Sequence, residues 1–187
     1  MEKVTLGQVQ ELLKLVSQNG IGKVGLQELL ESGEFTILLN AFNENFITRI
    51  VIVDRTRTPK EALRATGCAI QAAYADDSLV ENMSTCGNGI ENDVKVIFFR
   101  LGRKISDKDL AVEYEKRGLK PDPFAVVAVN EADPAFTREH PNSTFWKDLN
   151  GACLSVCFGS YGLVRRVFVN RDKNEWDENW WFGGVPK

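Results

Sequence analysis

The chain has 187 residues, 43% of them hydrophobic and 26% charged, a composition that excludes global disorder and a collagen-like repeat. With 23 lysines and arginines against 26 acids the net charge is −3. That balance argues against a protein devoted to the nucleic-acid backbone, which takes a positive field over a whole face. Apolar runs such as Ile50 to Val53 fall far short of the roughly 20 residues a bilayer crossing needs. The polar start Met1-Glu2-Lys3-Val4-Thr5 lacks the apolar stretch and cleavage site of an export signal. A cytoplasmic chain with no membrane span is therefore expected.

Thr5 followed by Gln8 is a capping box, and Leu6, Val9, Leu12, Leu13 and Val16 recur at helical spacing until Asn19-Gly20. Leu26, Leu29 and Leu30 predict a second helix ending near Gly33, and Phe35 to Phe42 a third. Residues 1–45 thus read as a helical lobe. At Ile47 the period changes: Ile47 to Val53 is β-branched and strand-like, and Thr58-Pro59-Lys60-Glu61 supplies a cap, a proline at the first helical position and an acid at the third. The same order returns with a strand at Val94 to Phe99, a basic loop at Arg100 to Lys104, and Ser106 capping a helix that ends at Gly118. Residues 46–120 therefore read as two strand-helix units. Ala69 to Ala75 fits either strand or helix, and Ser84 to Asn92, with Gly87-Asn88-Gly89, reads as a loop.

Pro121-Asp122-Pro123 starts a helix through Val129, and Asp133-Pro134 starts a short one that His140-Pro141 ends. Ala152 to Phe158 and Leu163 to Val169 read as strands joined by Gly159-Ser160-Tyr161-Gly162, and Trp180 to Val185 as the last strand. The expected fold class is α+β, a single domain over 1–187 with an N-terminal helical lobe, two strand-helix units and a C-terminal antiparallel sheet in residues 121–187.

The stretch Phe98-Phe99-Arg100 to Ser106-Asp107, the run Gly118-Leu119-Lys120-Pro121-Asp122-Pro123, Ala128-Val129-Asn130-Glu131-Ala132-Asp133-Pro134-Ala135-Phe136 and the ending Trp176 to Lys187 resemble a group of small bacterial proteins with no established activity. The resemblance spans the second half clearly and the first half loosely. It implies one intact domain in a bacterial cytosol and carries over no catalytic residue.

The chemistry-bearing residues are few. Four cysteines, Cys68, Cys86, Cys153 and Cys157, are expected as thiols in a reducing compartment. On a strand, Cys153 and Cys157 lie about 13 Å apart, too far to share one zinc. His140 is the sole histidine, which confines any dyad or two-histidine site by arithmetic. Gly159-Ser160-Tyr161-Gly162 is no nucleophile elbow, and neither Gly20-Ile21-Gly22-Lys23 nor Gly87-Asn88-Gly89 has the spacing of a phosphate loop. No metal and no cofactor are expected.

Two surfaces remain. Trp176, Trp180 and Trp181 crowd the last twelve residues beside Asp177 and Asn179. An extended backbone there sends Trp180 and Phe182 to one side and Trp181 to the other. Such an end is either core or an aromatic platform for an unidentified protein or small-molecule partner, and this binding role without catalysis is the leading expectation. The alternative is an anionic ligand, nucleic acid included though not favoured, held by Arg55, Arg57, Arg103 and Lys104, which share one end if the two strands run parallel. A third reading is an enzyme of unrecognised class. The basic block Ile47 to Gly67 and the acidic block Asp76 to Asp93 read as solvated loops or as complementary faces of one fold.

Overall fold

A computed structural model describes residues 5–32, 35, 45–70, 77–83, 87–148, 150–171 and 175–187. The chain divides into two compact units, Met1–Glu44 and Asn45–Lys187. In the first, α1 (Leu6–Gln18) starts at the Thr5–Gln8 capping box and α2 (Lys23–Glu31) follows, and neither buries a residue. The helix expected over Phe35 to Phe42 lies outside the described residues except for Phe35.

The second unit is built on an eight-stranded mixed sheet, giving an α+β fold with a strand-rich C-terminal half. Its elements in chain order are β1 (Phe46–Asp54), α3 (Pro59–Ala65), β2 (Ala69–Ile70), α4 (Asp77–Glu81), β3 (Ile90–Arg100), β4 (Ile105–Ser106), α5 (Asp107–Lys116), β5 (Leu119–Pro121), α6 (Pro123–Ala132), α7 (Phe136–Glu139), β6 (Asn142–Lys147), β7 (Cys153–Tyr161), β8 (Val164–Arg171), β9 (Glu175–Trp176) and β10 (Trp181–Pro186). Sheet order is β1-β3-β10-β6-β7-β8-β2, with β5 also on β10 and β4–β9 as a separate ribbon. The C-terminal strand is therefore central, antiparallel to β3 and β5 and parallel to β6.

Local chemistry sets most helix ends. Thr58 caps α3 reciprocally with Glu61, Ser106 caps α5, and Asp122 caps α6 by accepting from the Ala125 N–H. Gly67 and Gly118 follow α3 and α5 with φ of +66° and +61°, where a Cβ would be strained. In α6 every residue from Pro123 to Asn130 is buried, so it is a core helix apolar on all sides. It joins the sheet residues Val53, Phe98, Val156 and Trp181 in one cluster. On the opposite face, Leu110 and Tyr114 of α5 pack on Phe99, Phe145, Phe182 and Trp176.

Three expectations are corrected. β1 and β3 pair directly and antiparallel, Ile47 opposite Phe98 and Val51 opposite Val94, so the two strand-helix units are not parallel repeats. Ile90–Asn92 belongs to β3, not to a loop. The β7–β8 turn is only Gly162-Leu163, since Tyr161 already pairs with Val164. Gly162 supplies the positive φ of 59° that a two-residue hairpin needs at its first position.

Candidate functional site

The pleat separates the indoles as expected, but both sides are covered. Trp181 enters the cluster under α6, while Trp176, Trp180 and Phe182 enter the one under α5. Trp176 is 1% exposed and Trp181 5%, which leaves no open aromatic platform there. Trp176 stacks edge-to-face on Trp180 and Phe182 at 5.5 and 5.3 Å, and its indole N–H donates to Asp107 Oδ1 at 2.6 Å. Asp177 and Asn179 are exposed in the turn that leads into β10.

Each of the four basic loop residues is engaged by a carboxylate. Arg55 is buried and donates from Nη1 and Nη2 to both oxygens of Asp122, at 3.1 and 2.8 Å, and to Glu91 at 3.0 Å. Burial opposes its charge, but the hydrogen bonds to Asp122 and Glu91 outweigh that and hold its pKa above the ordinary arginine value. Arg57 bonds Glu131 and Asp54, Arg103 bonds Glu113, and Lys104 bonds Glu175. Because β1 and β3 are antiparallel, Arg55 and Arg57 lie at one end of that pair and Arg103 and Lys104 at the other. The shared anion-binding edge does not form. Much of the basic block instead ties β1 and its following loop to α6 and its C-terminal end, with Arg49 on Asp133 at 3.3 Å as the third tie.

Arg100 is not held in this way. Arg100 ends β3 directly opposite Trp181 of β10, the cross-strand position at which side chains of one face meet. Its guanidinium carbon lies 5.4 Å from the Trp181 ring centroid. Its Nε is buried without a hydrogen-bond partner, and among the described residues no carboxylate pairs with it. The His140 ring meets the same indole at 5.1 Å, edge-to-face. His140 is positioned as the cap of α7, its N–H donating to the Phe136 carbonyl, and Pro141 then accepts from the Trp181 N–H at 2.9 Å. Phe136 completes the cluster, with His140 at 5.1 Å on one side and the Arg49 guanidinium 4.9 Å from its centroid. Partial burial lowers the His140 pKa below the ordinary imidazole value. Glu139 and Asp133 pull it up, and Arg49 and Arg100 push it further down.

Comparison of the chain with protein-family models, with curated proteins and with solved structures finds no match. The site is therefore read from its own chemistry. Arg100 was legible only as part of a basic loop, because its partner Trp181 is fixed by strand register and by nothing local. Among the described residues no group of three or more histidines, cysteines and acids is placed to hold a metal, and no helix is long and apolar enough to cross a membrane.

The thiols separate by accessibility. Among the described residues Cys68, Cys153 and Cys157 form no disulfide, and Cys86 lies outside them. Cys157 is buried beside the Ser143 hydroxyl, whereas Cys153 opens on a cleft of about 400 Å³ with Ser106, Lys108, Phe145 and Lys147. Site-resolved mass spectrometry during alkylation of the native protein is expected to find Cys153 modified before Cys68 and Cys157. Labelling of Cys157 at the same rate would contradict the packing of β7.

Proposed function

We propose that the protein is a non-catalytic binding module for a small anionic ligand, held by Arg100 and His140 beside the Trp181 indole. The observation that carries this reading is Arg100. A half-buried guanidinium whose Nε is buried without an acceptor and which pairs with no carboxylate among the described residues forgoes the charge-assisted hydrogen bonds that Arg55 and Arg57 make, and the cation–π contact with an indole offsets only part of that loss, about 0.5–2 kcal/mol. A carboxylate or phosphate oxygen supplies what is missing. His140 would add a second donor when protonated. This reading keeps a residue of the terminal aromatic run in the site and moves the cation from the loops to the end of β3.

The test uses the sole imidazole in the chain, whose NMR signal needs no assignment. Without ligand, His140 is expected to titrate below the ordinary histidine value of about 6.5. Inorganic phosphate, at ionic strength matched with chloride, is expected to raise that pKa by about one unit, the effect of an opposite charge within a few ångströms. The sign follows by linkage: an anion that favours imidazolium binds more tightly as pH falls through the histidine range. Arg100→Gln is expected to abolish the phosphate effect while His140 still titrates. An imidazole indifferent to both phosphate and acetate would refute the proposal.

A further inference from the structure

The register of the sheet places a second feature at the end that holds the anion site. Arg100, Trp181, Asn142, Phe158 and Val167 form one row across β3, β10, β6, β7 and β8. Past Phe158 the β7–β8 hairpin continues to Tyr161, a further reach of about 10 Å, before it turns at Gly162-Leu163. At its tip Leu163 is 86% exposed and Tyr161 76%, the highest values for large apolar side chains among the described residues, and Val164 is half exposed. The hairpin closes on the Tyr161–Val164 pair, so few of its backbone groups lose a partner on leaving water. The Arg166 guanidinium lies 5.2 Å from the Tyr161 centroid, and Arg138 is exposed on α7, which packs against β7. Neither arginine pairs with a carboxylate among the described residues.

We propose that this end of the sheet docks on an anionic lipid bilayer, the hairpin tip entering the interface while the anion site takes a lipid phosphate. The inference rests on the reading of Arg100 and His140 as an anion site and names the source of its ligand. Depth supports it. The headgroup layer is about 5–8 Å thick on each side of a bilayer, so a tip that leads the row by about 10 Å reaches the acyl boundary when Arg100 stands level with the phosphates. Tyrosine suits that boundary, with an apolar ring and a polar hydroxyl, and Leu163 and Val164 supply inserted apolar surface. Arg166, opposite Gly159 between tip and row, falls within the headgroup layer. A protein partner would need a socket shaped to a narrow convex hairpin, whereas lipid needs none. Glu139, Asp177 and Glu178 lie at the same end, so attachment depends on insertion and on individual phosphate contacts, not on net charge.

Co-sedimentation of the full chain with vesicles tests this. The wild type is expected to pellet with vesicles of phosphatidylglycerol and phosphatidylcholine in equal parts, and about tenfold more weakly with phosphatidylcholine alone, whose choline cation competes for the phosphate. Tyr161→Ser with Leu163→Ser, at exposed positions of the turn, is expected to lose about tenfold in binding, with an unchanged circular dichroism spectrum and an unchanged phosphate response of His140. Arg100→Gln is expected to weaken binding about fivefold with the tip intact. A wild type that remains in the supernatant overturns the proposal, as does equal binding to the two kinds of vesicle, or either variant pelleting like the wild type. Self-association that the tip variant abolishes would assign the hairpin to a second copy and overturns it as well. The phosphate response of wild-type His140 is read without vesicles, so its failure strikes the anion site itself, and its success without pelleting strikes only the lipid.

Discussion

Replacing Asp122 by alanine is expected to destabilise the second unit by about 3–5 kcal/mol, the cost of stripping one partner from a buried ion pair, with about 1 kcal/mol more for the lost helix cap. Both side chains are withdrawn from solvent, Arg55 at 1% exposure and Asp122 at 0%. Asp122 Oδ1 also accepts from the Ala125 N–H at 3.0 Å. One carboxylate thus fixes the start of the core helix α6 and neutralises the arginine that follows β1. Without it, Arg55 retains only Glu91, whose side chain is 37% exposed. A domain stable by about 5–15 kcal/mol would be left marginal. Arg55→Met is expected to cost somewhat less, because Asp122 keeps its cap bond. The double variant Arg55→Met, Asp122→Ala is expected to be more stable than the sum of the two losses by about 2 kcal/mol, because no uncompensated charge remains inside. Urea midpoints for the four proteins check this, and strict additivity would refute the coupling.

What the sequence disclosed follows from how far each interaction reaches. The caps at Thr5, Thr58 and Ser106 were legible because a cap is complete within four residues. The opposite facing of Trp180 and Trp181 was legible because the pleat alternates whatever the strand's neighbours are. That both faces are covered was not legible, since the coverings come from α5 and α6, some 50 to 70 residues earlier. The basic block looked like a surface for the same reason: Arg55 meets Asp122 across 67 positions and Arg57 meets Glu131 across 74. Strand β6 was read only as part of the β-rich end after Pro141 and not as a strand of its own, because Asn142-Ser143-Thr144 is polar, yet all three residues are buried. Asn142 exchanges hydrogen bonds with Asn130 of α6, and the Ser143 hydroxyl donates to the Val156 carbonyl. These are partners that only the assembled sheet supplies.

Gly183 and Gly184 in the central strand β10 are expected to tolerate no side chain. The β-carbon of an alanine at 183 would lie 2.6 Å from Phe98 Cε1 and 2.6 Å from Val126 Cγ2, both in side chains with no exposure and so without room to retreat. At 184 it would lie 2.7 Å from the Lys120 carbonyl oxygen and 2.8 Å from Tyr114 Cε1. The first glycine lets α6 approach one face of the sheet, and the second lets α5 and β5 approach the other. Tyr114 depends on that closeness, for its hydroxyl donates to the Gly183 carbonyl at 2.8 Å, and burial pushes its pKa above the ordinary tyrosine value. Overpacking of this kind costs about 1–3 kcal/mol. Gly183→Ala is expected at the upper end of that range. Gly184→Ala is expected to cost more, because a backbone oxygen paired in the β5–β10 ladder cannot rotate away. Gly159→Ala, in open space on β7 with an ordinary φ, is the control and is expected to change stability by less than about 0.5 kcal/mol. Thermal or urea unfolding of the three variants decides the matter, and a Gly184→Ala protein as stable as the control would mean that α5 does not sit against the sheet as described.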